Sequence, residues 1–160
     1  MKDLTALFFA AGCADVRSHI QSGNVIFGAS DTLAPKVPGL ISASILERFG
    51  LTVPVVTRSA AEMKQVVRGV PFREAGGDEA TWHVAFLAAV PEPARVASLD
   101  PDRSPPDRFE VRGREIYLRC PNGLARTKLT NAYFDSRLRT TSTVRNWRTV
   151  LAVLEMMQSL

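Results

Sequence analysis

The sequence predicts an α+β fold made of two ferredoxin-like halves, each a split β-α-β unit, followed by a C-terminal helix. Three observations point to it. Hydrophobic residues alternate between helical and strand spacing along the 160 residues. Short turns join neighbouring strand-like segments. The order of elements nearly repeats between residues 1–70 and 82–160, with a Gly-containing linker at 71–81, although the first half lacks the opening strand of the pattern.

The first half is predicted to contain three helices and three strands. A capping box at 59–62 opens its last helix, and Pro54 places the preceding strand at a sheet edge, because proline has no N–H to donate. The predicted elements, in order, are a helix at about 2–11, strands at about 16–21 and 25–27, a helix at about 37–49, a strand at 51–59 and a helix at about 60–68.

The second half is predicted to have a central strand, because residues 82–90 are apolar on both alternating faces. A β-hairpin follows around Arg112 and Gly113, where Phe109 and Val111 alternate with polar residues. The other predicted elements are a short helix at about 91–99 and helices at about 128–138 and 147–158.

The charge is concentrated in one part of the chain. The net charge is +4, and residues 103–148 hold eleven basic and four acidic residues, a local charge of +7 that leaves −3 for the remainder. A positive half suits an anionic partner. The alternative is a compositional bias, since only four of the 20 basic residues are lysines.

Cysteine and histidine usage gives little support for metal or thiol chemistry. Cys13 and Cys120 lack metal-ligand spacing and are expected to be small, part-buried residues, and His19 and His83 are expected to be part-buried structural histidines. We expect no metal and no cofactor. The N-terminus does not resemble a signal peptide, and no apolar run approaches the roughly 20 residues of a membrane span, so a cytoplasmic location is expected.

The first candidate site is the run "PNGLARTKLTN". A turn at Asn122 and Gly123, followed by Lys128 and Asn131, would place backbone N–H groups and an ammonium at a helix start, where anions bind. The spacing does not match a phosphate-binding Walker loop. The alternative is an ordinary turn, a capped helix and a solvated lysine.

The second candidate site is the run "TVRNW", residues 143–147. Arg145 suits forked binding of a carboxylate or phosphate, Trp147 offers a flat apolar face, and Thr143 or Asn146 is a helix cap. The alternative is a capped helix whose tryptophan anchors the core. As a ligand site, this run is expected to converge with Lys128 on one exposed basic concavity.

A third, weaker candidate is the hairpin turn at Gln21 to Asn24, where Ser22 and Asn24 are polar and Gly23 and Asn24 supply positive φ. Polar loop tips on a rigid scaffold often lie beside ligands. Its main role is expected to be the turn itself.

Several of these runs together resemble a known family. The segments "DVRSHIQSGNVIF", "VPVVTRSAAE", "WHVAFLA", "RFEVRGREIYLRCPNGLARTKLTN" and "STVRNWRTV" are similar, in order and over nearly the whole chain, to the bacterial domain of unknown function 1697. The resemblance implies an α+β protein of two ferredoxin-like parts with no established activity. Family members open with a strand and a glycine-containing loop, roughly "ALLRGINVGG". We expect a late start here, and any site to be partial.

These observations favour a protein that binds a small phosphate- or carboxylate-bearing ligand. The alternatives are an enzyme acting on a phosphorylated substrate and a weak nucleic-acid binder. Against the last, the sequence lacks the K/R-G-F/Y-G/A-F pattern, and its sheet aromatics are expected to pack in the core. The oligomeric state stays open.

Overall fold

The computed structural model describes residues 2–19, 23–73 and 77–160. They form two compact units, Met1–Ala60 with Ala152–Leu160 (unit 1) and Ala61–Leu151 (unit 2). The predicted α+β class is confirmed by a two-stranded antiparallel sheet, a four-stranded antiparallel sheet and a C-terminal helix. The predicted division of the chain into residues 1–70 and 82–160 stays a prediction.

Unit 1 is built around one small hairpin and two helices. Its elements are α1 (Lys2–Ala10), β1 (Ala14–His19), β2 (Asn24–Gly28) and α2 (Val37–Phe49). Gly12 ends the α1 region with a φ of 99°, a conformation that glycine adopts without strain. The two strands pair with Ser18 opposite Val25. The helices cover the hairpin with a core that includes Phe8, Val37 and Ile41.

The predicted strand over residues 51–59 is wrong, because these residues have no regular secondary structure. A strand needs a neighbour to share its backbone hydrogen bonds, and the described residues of this unit supply only β1 and β2, which pair with each other. The apolar residues are used in packing instead, where Val55 lies against the core. Ser42 Oγ fixes the segment by donating to the Val53 carbonyl at 2.9 Å.

Unit 2 carries the larger sheet. Its strands and helices, together with the C-terminal helix, are α3 (Ala60–Arg68), β3 (Trp82–Leu87), α4 (Pro93–Ala97), β4 (Arg108–Arg112), β5 (Glu115–Arg119), α5 (Asn131–Leu138), β6 (Ser142–Asn146) and α6 (Trp147–Gln158). The strands lie in the order β4-β5-β3-β6, and all neighbours are antiparallel. The apolar strand β3 is buried along its whole length and has a neighbour on each side, as predicted.

The register gives this sheet two distinct faces. Ala85 lies opposite Ile116 and Val144, and these residues belong to the core beneath α4 and α5. This is the α5 face. Val84 lies opposite Tyr117 on the other face, where the Tyr117 hydroxyl donates to the Val66 carbonyl of α3 at 2.7 Å. This is the α3 face, because side chains alternate between the faces along a strand.

Strand β6 was not predicted, and two helices differ from prediction. Residues 143–146 resemble a polar helix cap in sequence, yet they pair with the buried β3 as an edge strand that tolerates polar side chains. Helix α5 begins at Asn131 rather than Lys128, because Thr130 caps it by accepting from the Tyr133 N–H. Helix α4 ends at Ala97, two residues early.

Candidate functional site

The turn after β5 has the predicted geometry. Asn122 and Gly123 are exposed, Gly123 has a φ of 80°, and its N–H donates to the Cys120 carbonyl at 2.9 Å. The N–H of Cys120 in turn donates to the Thr81 carbonyl at 2.8 Å, which continues the pairing with the chain just before β3. The turn therefore lies at the end of the sheet where β3 begins.

In the segment from Arg126 to Asn131, here called the α5 start, several backbone donors have partners within the protein. The Lys128 N–H donates to Ser104 Oγ at 3.0 Å, and the Leu129 N–H donates to Thr127 Oγ1 at 3.1 Å. The cap residue Thr130 accepts from the Tyr133 N–H at 3.2 Å. Side chains thus accept from three backbone N–H groups at this helix start.

A buried polar chain explains why the α5 start is held so firmly. Ser104 and Asp107 are both buried, and Ser104 Oγ donates to Asp107 Oδ2 at 3.1 Å. Beside them, burial raises the pKa of the Cys120 thiol to about 11, with the Asp107 charge adding to the rise and a hydrogen bond to Thr127 opposing it. A thiol with this pKa is a poor nucleophile.

Beside the α5 start, two arginines stack on the Tyr133 ring. The Arg103 guanidinium lies 3.8 Å from the Tyr133 ring centroid, and its Nε donates to the Lys128 carbonyl at 2.9 Å. Arg137 lies 5.6 Å from the same ring centroid. These contacts order basic side chains by cation–π interaction within the protein.

Asn131, another predicted ligand residue, fastens α5 to β6. Its Nδ2 donates to the Ser142 carbonyl at 3.1 Å and to Ser142 Oγ at 2.9 Å. Ser142 Oγ donates onward to Asp135 Oδ1 at 2.6 Å. Its amide therefore has a structural explanation.

The predicted convergence of Lys128 and Arg145 stays a prediction, and the register of the sheet does not favour it. Arg145 lies opposite Val84 in the register, on the α3 face, whereas Lys128 leads into the helix that covers the α5 face. The Arg145 Nη1 donates to Thr143 Oγ1 at 2.6 Å and to the Val144 carbonyl at 2.9 Å. Burial lowers the pKa of the Arg145 guanidinium.

Asn146 and Trp147 occupy the end of β6 and have the structural roles that were weighed for them. Asn146 Oδ1 accepts from the Thr149 N–H at 2.8 Å, which caps α6. Trp147 is 2% exposed and meets Trp82 edge to face, with the ring centroids 5.7 Å apart. Both residues lie at the same end of the sheet as the turn after β5.

The predicted hairpin site in unit 1 is described only in part. Ser22 lies outside the described residues, and Gly23 has the expected positive φ of 80°. Asn24, the first residue of β2, does not have the positive φ that was predicted for it. Asn24 Nδ2 lies 3.4 Å from the His19 carbonyl, to which it donates. These contacts belong to a hairpin.

A different set of polar groups is left without protein partners. Within the described part of the chain, three buried side-chain nitrogens make no hydrogen bond: Trp82 Nε1, His83 Nδ1 and Arg119 Nε. All three lie at the end of the sheet where β3 begins. Trp82 and Arg119 face each other across β3 and β5, so their side chains share the α3 face; their two N–H groups are here called the donor pair.

Several contacts surround the donor pair. The last carbonyls of the α3 region accept from side chains: Gly69 from Arg112 at 2.6 Å and Val67 from Arg73 at 3.0 Å. The Phe72 ring lies 6.0 Å from that of Trp82. The chain at Gly77 passes so close that a Cβ there would lie 3.0 Å from Arg119 Nη2. These contacts limit the rotamers open to both members.

The donor pair lies in a basic setting. Arg108 is directly opposite Arg119 on β4, so two guanidinium groups start from neighbouring positions on one face. The Arg73 guanidinium lies 5.9 Å from the ring centroid of Trp147, which itself contacts Trp82. Like charges directly opposite each other destabilise a sheet. An anion placed here would remove that repulsion.

His83 is the third unpartnered group and lies on the α5 face, opposite Leu118 and Asn146. Its side chain is 8% exposed. Burial lowers the pKa of His83, and a backbone hydrogen bond at Thr81 opposes the shift. The buried imidazole therefore favours the neutral form.

The described residues contain neither a cluster of metal-ligating side chains nor a helix that could cross a membrane. Among residues 2–19, 23–73 and 77–160, no three His, Cys, Asp or Glu side chains cluster closely enough to hold a metal ion. Over the same ranges, none of the helices combines the length and the apolar character needed to cross a membrane.

Fold and site together define an α+β protein whose four-stranded sheet carries buried, unpartnered donors at one end. The chain belongs to the family described as protein of unknown function (DUF1697), whose model matches residues 1–117. The resemblance seen in the sequence is thereby confirmed.

A solved structure supports the same fold. The conserved bacterial protein SP0830 from Streptococcus pneumoniae superposes with a TM-score of 0.72, covering 99% of this chain and 88% of its own at 17% identity. Comparison with curated proteins found no match.

Proposed function

We propose that this protein binds a small anionic ligand, bearing a phosphate or a carboxylate, through the donor pair. The observation that carries the proposal is that Trp82 Nε1 and Arg119 Nε are buried neighbours for which the described residues provide no acceptor. An anion oxygen is the acceptor that suits both, because one of the two donors is charged.

The energetic argument is the cost of leaving such donors unpaired. A buried donor without a partner costs about 1–3 kcal/mol. Folded proteins keep few of these groups, and each one calls for an explanation. Two that face each other on adjacent strands, in a setting fixed by α3 and Gly77, suit a ligand that supplies the missing acceptor.

The ten ligand-binding residues predicted from the sequence lie outside the donor pair. As ligand-binding residues, the following remain a prediction: Ser22, Asn24, Asn122, Gly123, Lys128, Asn131, Thr143, Arg145, Asn146 and Trp147. Trp147 has a part in the present proposal as well, because it packs against Trp82. Enzymatic turnover, nucleic-acid binding and a cytoplasmic location also remain predictions.

The test is a titration of the nitrogen-15-labelled protein with inorganic phosphate and with acetate. The chain has two tryptophans, so its spectrum has two indole N–H signals, and Trp82→Phe assigns them. We expect the Trp82 signal to move on saturation, since its N–H gains an acceptor. The Trp147 indole contacts the Trp82 ring, so a smaller shift of its signal is expected.

Three variants complete the experiment. Arg119→Gln is expected to weaken phosphate binding about tenfold or more, because a hydrogen bond to a charged group contributes about 1.5–3 kcal/mol. Arg126→Gln removes the same charge from an exposed position and leaves binding unchanged. If Lys128→Ala abolished binding while Arg119→Gln did not, the donor pair would lose its role.

A further inference from the structure

We infer that the anionic group of the ligand is a phosphate monoester in its doubly charged form, recognised jointly by Arg119, Arg108 and Arg73. The inference rests on the proposed function and goes beyond it, because a singly charged carboxylate needs only one guanidinium. The juxtaposition that carries it is Arg108 directly opposite Arg119, with Arg73 over the Trp147 ring that packs against Trp82, all on one face of the sheet.

The first step concerns Arg108 and Arg119. The register places them directly opposite each other, where cross-strand side chains start about 4.5–5.5 Å apart. The next residue along β4 on this face, Glu110, forms its ion pair with Arg112 at 3.1 Å. Neither Arg108 nor Arg119 forms an ion pair with any carboxylate of the described chain.

The second step concerns Arg73. Its stacking on Trp147, which meets Trp82 edge to face, places it on the α3 face. One of its donors is used by the Val67 carbonyl, and within the described ranges its charge has no carboxylate counterpart. Three positive charges therefore lie on the face that carries the donor pair, and the described residues supply no ion-pair partner for them.

The third step is a match in charge and in number of acceptors. A phosphate monoester carries about −1.5 to −2 charges at pH 7 and has three strong acceptor oxygens. The donor pair takes one oxygen, while the forked guanidinium groups of Arg108 and Arg73 suit the other two. A monocarboxylate has two oxygens and one charge, so it would leave the like-charge repulsion largely in place.

The test compares three probes that share one ring: phenyl phosphate, phenyl sulfate and benzoate, titrated calorimetrically at pH 7.5. Phenyl sulfate keeps the tetrahedral shape with a single charge, so it separates shape from charge. We expect phenyl phosphate to bind about tenfold more tightly than either of the others. Arg108→Gln is expected to reduce that preference to a few fold while changing benzoate binding little.

The outcomes separate this inference from the proposed function. If all three probes bind with equal affinity and Arg119→Gln weakens them all, an anion site exists, but its preference for a doubly charged phosphate is refuted. If no probe binds, or if Arg119→Gln has no effect, the proposed function fails as well. A phosphate preference that survives in Arg108→Gln would also overturn the inference, whereas its loss there, but not in Arg126→Gln, would support it.

Discussion

The α5 start and the donor pair are both polar regions of unit 2, but they are opposite in how their hydrogen-bonding groups are used. At the α5 start, Ser104, Thr127 and Thr130 each accept from a backbone N–H. At the donor pair, two buried N–H groups have no acceptor in the described chain. The polar residues at the α5 start therefore make hydrogen bonds within the protein, whereas Trp82 on the apolar strand β3 and Arg119 on β5 carry donors without an acceptor in the described chain.

The difference shows why unsatisfied groups are the better guide to a site. A hydrogen bond within the protein contributes only about 0.5–1.5 kcal/mol to stability, whereas a buried donor or acceptor left unpaired costs more. An apolar residue of similar length at position 119 would avoid the cost of the unpaired donor. A ligand that completes the bonds explains an arginine beside Trp82.

The largest expected change in stability comes from removing the Ser104 hydroxyl, which bonds to Asp107 and to the backbone of the α5 start. Ser104→Ala removes the group that donates to Asp107 and accepts from the Lys128 N–H, leaving both buried or part-buried groups without this partner. We expect the free energy of unfolding, measured in urea, to fall by about 2–3 kcal/mol.

A matched serine provides the control for that measurement. Ser98→Ala removes an exposed hydroxyl that donates to the Arg95 carbonyl, and it should change the free energy of unfolding by less than about 0.5 kcal/mol. Equal losses in the two variants would show that the α5 start is not held by the Ser104 chain.

A smaller change in stability is expected at low pH, where His83 becomes protonated. Its pKa is lowered from 6.5 in the folded protein, so below pH 6.5 the unfolded chain binds a proton that the folded chain resists. The folded protein therefore has its full stability above pH 6.5, and its free energy of unfolding decreases as the pH falls from 6.5 through the lower pKa of the folded state.

The measurement is urea unfolding at pH 7.5 and pH 5.5 for the natural chain and His83→Gln. We expect the natural chain to lose more stability on acidification than the variant does, because the variant has no imidazole to protonate. An identical loss in both would mean that His83 is not held in its neutral form by burial.

Much of the fold follows from sequence for identifiable reasons. Strand β3 is apolar on both faces, and the hairpin at Gly113 has its turn residue at a φ of 58°. Strand β6 was missed because an edge strand exposes polar side chains, and its pairing with β3 is a long-range contact. Residues 51–59 have strand-like composition, but a strand also requires a neighbour that composition does not reveal.

The candidate site is less accessible from sequence. Asn122 and Gly123 form the expected turn, and Asn146 the expected cap, because those roles are local. The role of Arg119 depends on distances across strands: it alternates on β5 like any surface arginine, and only the register brings it to Trp82. Whether a buried donor is satisfied is a property of the packed structure, so no motif announces it.

The most direct test of the central claim is the substitution Arg119→Met, with stability and phosphate binding measured on the same protein. Methionine keeps the apolar stem and removes the buried donor and its charge. We predict a free energy of unfolding equal to that of the natural chain or up to about 1 kcal/mol higher, together with loss of phosphate binding. A marked loss of stability with phosphate binding intact would contradict the account.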